Sequence, residues 1–350
     1  MSAMTKTRIP ALLAAAALVL AACGTGTGAP QAAAPVAAPA AAPAAAPVAA
    51  DETCPDESGK PPVVASIDPG RPSVAQLAQG ANVQAIKQKK RLVVGTSGDV
   101  VLWGARNPTT GRLEGFDIEV AKDIARAIFG TPPTKEPPVE FRVINYSQRL
   151  PAVSDNEVRE NQTRSPIIAD LVLHTMTINC ARWTQIAFSS EYYHAGQKIL
   201  VRSDNPKLDP RTGDMQITDL DPGTEICVPA GSTNVELLES KYRQFKPVPV
   251  PEIGECLVKF QRGEVGVITG DDTVLAGFAA QDPYARVVGA RLSDEPYGIG
   301  IDRNKRDLVQ FVNAVLQQLR DSGRWTEIYG ATMGKAIPKV PEIPQAKYGR

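Results

Sequence analysis

The sequence predicts an α/β protein of two lobes, each built on a mostly parallel sheet, joined by two crossover strands that serve as hinges. Three observations predict it. Short apolar strands alternate with amphipathic helices from about residue 82 onward, and the alternation comes as two series. Two extended segments without helical periodicity, 197–201 and 297–301, sit between and after them. If both are crossovers, the chain runs from lobe one to lobe two and back, leaving a cleft able to close on a small polar ligand.

The first series opens with Arg-Leu-Val-Val-Gly at 91–95, a short buried strand. Residues 116–130 read as a helix: Val120, Ile124 and Ile128 recur every four residues beside Ala121 and Ala125, and Gly130 with Pro132 stops it. Further strands are predicted over 139–144 and 167–173. The second series comprises a strand at 225–228, a helix at 232–242, a short strand around Val248 and Val250, a helix at 253–262, a strand at 265–269 and a helix at 272–280. The last clear helix, 305–322, carries Leu308, Phe311, Val312, Val315, Leu316 and Leu319 on one stripe, with Gly323 as its C-terminal stop.

These elements divide the chain into an export signal at 1–22, a tether at 23–50, a lead-in at 51–84, the first part of lobe one at 85–196, a hinge and lobe two at 197–296, a hinge and the return to lobe one at 297–330, and a Pro- and Lys-rich surface strap at 331–350. In the signal, Lys6 and Arg8 precede an uncharged apolar run of 12 residues, 11–22, short of the roughly 20 needed to span a bilayer. The run ends in Leu20-Ala21-Ala22-Cys23, a pattern that resembles a lipoprotein cleavage box, so Cys23 is expected to carry lipid and anchor the protein to the outer face of the cell membrane. Residues 24–50 are Ala, Pro, Gly, Thr, Val and one Gln without charge; nothing there can offset the entropy of ordering.

Composition excludes whole classes of function. With 38 basic and 38 acidic side chains the chain lacks the cationic excess that nucleic-acid binding requires. His174 and His194 are the only histidines, and no phosphate loop or metal cluster is visible, so neither a cofactor nor a metal is expected. With Cys23 assigned to lipid, Cys54, Cys180, Cys227 and Cys256 remain, an even number in an exported chain. Of three possible pairings, Cys227–Cys256 is favoured because both fall in one βαβ stretch, which leaves Cys54–Cys180.

Several segments together resemble the polar amino-acid binding proteins of ABC importers, specifically the glutamine/glutamate-binding lipoproteins of high-GC Gram-positive bacteria (solute-binding family 3). They are Leu92-Val-Val-Gly95, Leu113-Glu-Gly-Phe-Asp-Ile-Glu-Val-Ala121, Thr175-Met-Thr-Ile-Asn-Cys-Ala-Arg182, Ala187-Phe-Ser189, Gly231-Ser-Thr233 and Asp271-Asp-Thr-Val-Leu-Ala-Gly277. The resemblance covers about residues 85–330 and implies the type II periplasmic-binding-protein fold and a small amino-acid ligand. It implies that Arg182 forks onto the ligand carboxylate, as a planar guanidinium suits two oxygens. Thr177 would offer its hydroxyl and Thr175 a backbone carbonyl to the ammonium. At the second lobe's Gly231-Ser232-Thr233 turn, free N–H groups and the Thr233 hydroxyl would donate to the carboxylate, while Ser232 or Thr233 caps the helix. Asp271 would take the ammonium, with Asp272 the alternative.

Three departures stand out, the first being Gly266, where the family usually has an Asp two residues into the strand at 265–269. An acidic residue is usual near Ser97, with Asp99 here two residues on; Asp99 and Trp103 are possible pocket members. Residues 156–165 look like a polar insertion between Arg149 and Asp170. The expected function is capture of glutamate, glutamine, aspartate or asparagine by a monomer whose closed form is read by a membrane permease or, alternatively, by a signalling membrane protein. The third reading is an enzyme on the same scaffold, like the periplasmic dehydratases. It needs a positioned acid or base, for which His174 and His194 are poor candidates.

Overall fold

The computed structural model describes residues 63–154 and 168–350. The signal, the tether, Cys23, Cys54 and the insertion at 156–165 lie outside them. In the lead-in, Ser73 caps α1 (Val74–Leu77) through a reciprocal box with Gln76, and α2 (Ala81–Gln88) buries Val83 and Ile86. β1 (Leu92–Thr96) is buried at every position, the mark of a strand covered on both faces. β2 (Asp99–Val100), β3 (Gly104–Arg106) and β4 (Leu113–Glu114) make a small antiparallel sheet. α3 (Phe116–Phe129) starts after Gly115, at φ +135°, where a Cβ would lie 2.2 Å from the Trp103 carbonyl oxygen, so only glycine fits.

β5 (Val139–Val143), α4 (Arg149–Val153), β6 (Leu171–Val172), α5 (Cys180–Trp183) and β7 (Ala187–Phe188) complete the outward pass. The chain then crosses through β8 (Tyr193–Arg202) into β9 (Glu225–Pro229), α6 (Thr233–Lys241), β10 (Lys246–Val250), α7 (Ile253–Gln261), β11 (Val267–Asp271) and α8 (Asp272–Ala279). It returns through β12 (Ala285–Tyr297) to β13 (Gly300–Ile301), α9 (Arg306–Asp321) and α10 (Arg324–Thr332) on the first lobe. The predicted apolar stripe of α9 is entirely buried, each such side chain contributing about 1.5–3 kcal/mol on leaving water.

The first sheet runs β5-β1-β6-β13-β7 and the second β10-β9-β11-β8-β12. One strand in each is reversed, β13 and β8, and because both are interior, half the pairings are antiparallel. The expectation of mostly parallel sheets is thus corrected to mixed sheets. The reversed strands are the ones that enter a lobe from the hinge, so they run against the βαβ strands beside them. β10, with Pro247 and Pro249, occupies an edge, where missing N–H donors cost no ladder bond on the open side.

The hinge also moves. Its ribbon pairs 193–197 with 293–297, and a register shift separates this from the pairing of 199–202 with 285–288 inside lobe two. Residues 197–201, predicted as the crossover, already pair with β11 in the second sheet. A buried sheet strand and a crossover carry the same apolar pattern, so the sequence placed the hinge about four residues late. Likewise the strand predicted over 167–173 is reduced to Leu171–Val172 among the described residues.

A disulfide joins Cys227 on β9 to Cys256 on α7 across a sequence separation of 29. Cys180 is also disulfide-bonded, and its expected partner, Cys54, lies outside the described residues. Replacing Cys227 and Cys256 together with alanine is expected to lower the unfolding free energy by about 3–4 kcal/mol by freeing a loop of that length in the unfolded chain. Urea denaturation measures it, and a loss below about 1 kcal/mol would contradict the expectation. Among the described residues no helix is long and apolar enough to cross a membrane.

Candidate functional site

The lobes meet in a buried polar junction. Arg149 Nη2 on the first lobe donates to the Gly231 carbonyl on the second at 3.2 Å. Gly254 N at the start of α7 donates to Asp99 Oδ2 at 2.8 Å, and Trp103 Nε1 to Thr273 Oγ1 at 3.1 Å. Gly231 has φ +73°, a left-handed turn that favours glycine, and a Cβ on it would stand 3.1 Å from Ser147 Cα, a tight approach that the opposite lobe would have to ease by a few tenths of an ångström.

On the first lobe, α5 is a single turn started by Asn179, whose side chain accepts from Arg182 N at 2.9 Å. This aims Arg182 inward, where it is 5% exposed. Its Nη1 donates to the Thr177 carbonyl at 2.7 Å, and its other donors have no protein partner among the described residues. Burial lowers its pKa, opposed by the charges of Glu236, Glu295 and Asp271. Thr177 in turn pairs with Tyr297 in a β-bridge and the Tyr297 hydroxyl donates to Asp271, so Arg182 and Asp271, expected from separate motifs on separate lobes, are brought to the same junction.

Thr175 holds a left-handed backbone, φ 43°, which is strained for a β-branched residue. Two buried groups hold it there. Asp117 Oδ2 accepts from Thr175 N at 3.2 Å, and Arg149 Nη1 donates to the Thr175 carbonyl at 3.1 Å. Asp117 also accepts from the Tyr192 hydroxyl at 2.6 Å; burial pushes its carboxyl up to about 7 against both hydrogen bonds. The Glu-Gly-Phe-Asp segment thus supports the site from behind. The Thr175 carbonyl, expected to face an ammonium, is already engaged by a guanidinium.

On the second lobe, Ser232 caps α6, accepting from Val235 N at 3.4 Å and donating to the Pro229 carbonyl at 2.6 Å, so its hydroxyl is committed to the turn. Thr233 Oγ1 points across the junction to within 3.4 Å of Thr177 Oγ1. Asp271, at the end of β11, accepts from Asn234 Nδ2 at 2.9 Å and from the Tyr297 hydroxyl. Burial first, and the Glu295 charge second, push its carboxyl up to about 7. Asp272 points elsewhere: it accepts from Thr273 N at 2.9 Å and pairs with Arg291 at 3.1 Å beside the hinge ribbon.

Trp103 is fully buried among Phe116, Tyr193 and Tyr297, a core position with its N–H already used. Asp99 is held by Ser97 Oγ at 2.9 Å and by the second lobe's Gly254, joining the lobes at the rim of the site. His174 lies fully buried against the Tyr146 ring, its Nε2 on the Ile144 carbonyl at 3.0 Å, and burial drives its pKa down to about 3, so it is neutral. His194 lies at the hinge between Glu191 and Asp294.

Sequence reasoning missed two charged residues. Arg149 is 2% exposed, stacks at 4.5 Å over the Tyr146 ring, and donates from Nε to the Tyr146 carbonyl at 3.1 Å. Burial and the neighbouring Arg182 bring its pKa down to about 10. Glu295, on the hinge strand, is 2% exposed.

Two lobes on a two-stranded hinge, with opposite charges from each lobe buried in their junction, define a solute-binding protein of the type II periplasmic-binding-protein fold. Residues 92–335 match the bacterial extracellular solute-binding proteins, family 3, and the chain belongs to that family. It is 29% identical over 245 residues to the ABC transporter glutamine-binding protein GlnH of Bacillus subtilis strain 168, covering 70% of this chain and 82% of that one. It is 26% identical over 269 residues to the glutamate-binding protein GluB of Corynebacterium efficiens, covering 75% and 85%. Among solved structures, a mutant of ArgBP from T. maritima superposes with a TM-score of 0.61 at 26% identity, covering 72% of this chain and 99% of that one.

Proposed function

We propose that this chain is a lipid-anchored receptor, on the outer face of the membrane of a high-GC Gram-positive bacterium, that closes on a polar amino acid of the glutamate, glutamine, aspartate and asparagine class and presents it to an ABC-type permease. The observation that carries the reading is the convergence of two buried charges at the junction: Arg182 of one lobe donates to the Thr177 carbonyl, Thr177 pairs with Tyr297 in a β-bridge, and the Tyr297 hydroxyl donates to Asp271 of the other lobe. A buried site that offers the unused donors of Arg182 and the carboxylate of Asp271 matches the two poles of a zwitterion, and closure brings both poles within reach. The glutamine- and glutamate-binding relatives support the ligand class. Within that class Arg149 favours the acidic members, because its buried charge rests on carbonyl oxygens and has no carboxylate in hydrogen-bonding contact among the described residues.

The test is calorimetric titration with the twenty amino acids. Glutamate and aspartate are expected to bind most tightly and the two amides about tenfold more weakly, the difference of roughly one charge-assisted hydrogen bond. Binding of lysine or leucine in preference to all four would refute the reading.

A further inference from the structure

Glu295 lies where β12 leaves the second lobe, opposite Ala195 in the hinge ribbon. Its Oε2 accepts from Thr177 Oγ1 at 2.6 Å and from Thr233 Oγ1 at 2.7 Å, while Oε1 accepts from Ser293 Oγ at 2.6 Å. Thr177 belongs to the first lobe and Thr233 to the second, so one carboxylate oxygen collects a hydroxyl from each side. No lysine or arginine stands within ion-pair distance of it among the described residues; hydroxyl donors satisfy it.

This has a chemical consequence. A hydroxyl owns one proton, and an ionised carboxylate can only accept. With both protons directed at Glu295, Thr177 and Thr233 present lone pairs, and lone pairs alone, to anything else in the junction. From sequence the threonines are expected to bring hydroxyls to the ligand, Thr233 as a donor to its carboxylate; the geometry reverses that polarity for Thr233. The two oxygens, 3.4 Å apart, join Asp271 in a wall of acceptors, and the ligand carboxylate is left to the unused donors of Arg182.

We propose that Glu295 is a positioning and specificity residue: by holding the hydroxyl protons of Thr177 and Thr233 it turns both threonines into acceptors for an ammonium, so that the closed site requires a cationic donor on its ligand and rejects dicarboxylates that lack one. This rests on the amino-acid reading above and specifies how the ammonium is demanded. Glu295→Gln keeps the shape, but its Nε2 donates where Oε2 accepted, which releases the hydroxyl protons toward the ligand.

The experiment measures calorimetric affinities of full-length wild type and E295Q for L-glutamate and for glutarate, which has the same carbon chain and both carboxylates but no ammonium. Wild type is expected to prefer glutamate by at least about 1000-fold, the scale on which sites built to hydrogen-bond a group reject its absence. E295Q is expected to bind glutamate about 30-fold more weakly and to show a glutamate-to-glutarate ratio reduced at least tenfold, about what charge-assisted contacts contribute. A ratio unchanged within about twofold would overturn the assignment, since a merely structural role would weaken both ligands alike. Wild type alone also decides: glutarate binding within about threefold of glutamate overturns it whether or not the variant folds. If wild type binds no amino acid, the proposed function itself falls and this inference with it, an outcome distinct from glutamate binding with an unaltered ratio.

Discussion

Arg182→Ala is expected to abolish measurable amino-acid binding, a loss of at least about 1000-fold, while the protein still folds. The size follows from what is left behind. The guanidinium is buried at 5% exposure and counters Glu236, Glu295 and Asp271 at once. Truncation removes the partner of the ligand carboxylate and leaves that carboxylate facing an excess of acids, and breaking one side of a buried charge pair costs about 2–5 kcal/mol or more. Folding should survive, because among the described residues the guanidinium makes one hydrogen bond, to the Thr177 carbonyl, worth about 1 kcal/mol. Arg182→Lys is expected to lie between, since a lysine keeps the charge but cannot supply two parallel donors. Calorimetry with glutamate, alongside thermal unfolding of each variant, separates the outcomes. Affinity within tenfold of wild type in R182A, with the fold intact, would remove Arg182 from the site.

Arg182, Thr177, Thr233 and Asp271 could be named because the family resemblance carries residue types at set places around the strand-to-helix turns, and the structure brings all four to the junction of the lobes. Ser232 could be named too, its capping role suggested by the turn itself. What lay behind these residues was not legible. Arg149 sits in a helix of five residues and makes its hydrogen bonds to backbone carbonyls, a pattern that has no sequence signature. Asp117 was visible as part of a motif, but that its carboxylate reaches the backbone of Thr175, 58 residues away, is a property of the packed lobe. Glu295 was hidden by the missed strand. Once 285–297 is known to be β12, a period of two places Glu295 and Tyr297 on one face, and these are the two residues that meet Thr177 and Asp271. Without the strand, Ser293-Asp294-Glu295 reads as one more polar stretch. The misplaced hinge has the same origin: strand periodicity tells that a segment is buried, not between which partners.

Binding is expected to weaken as the solution is acidified through neutrality, and Asp271 sets the window. Its carboxyl accepts from Asn234 and Tyr297, but burial and the Glu295 charge hold it at about 7. An ammonium placed against it favours the ionised form, so the pKa falls on binding and the ligand-free protein must release a proton first. Below about pH 7 each unit of pH then costs about tenfold in affinity, or 1.4 kcal/mol. Between pH 7.5 and pH 5 the affinity for glutamate should drop on the order of 100-fold, over a range in which the ligand's own charges hardly change. The stability of the ligand-free protein moves the other way. Because the folded carboxyl keeps a proton that the unfolded chain, with its ordinary value of 3.8, has already lost, the contribution of this group declines as pH rises from about 4 to about 7. Ligand should therefore raise the thermal midpoint far more at pH 7.5 than at pH 5, although the ligand-free protein receives less help from this residue at the higher pH. Asp271→Asn isolates the effect from that of Glu236, whose carboxyl burial also raises: an amide can still accept from Asn234 but cannot ionise, so the variant should bind weakly with a profile that no longer carries the step near 7. A wild-type affinity that stays level across this range would mean that Asp271 does not meet the ammonium.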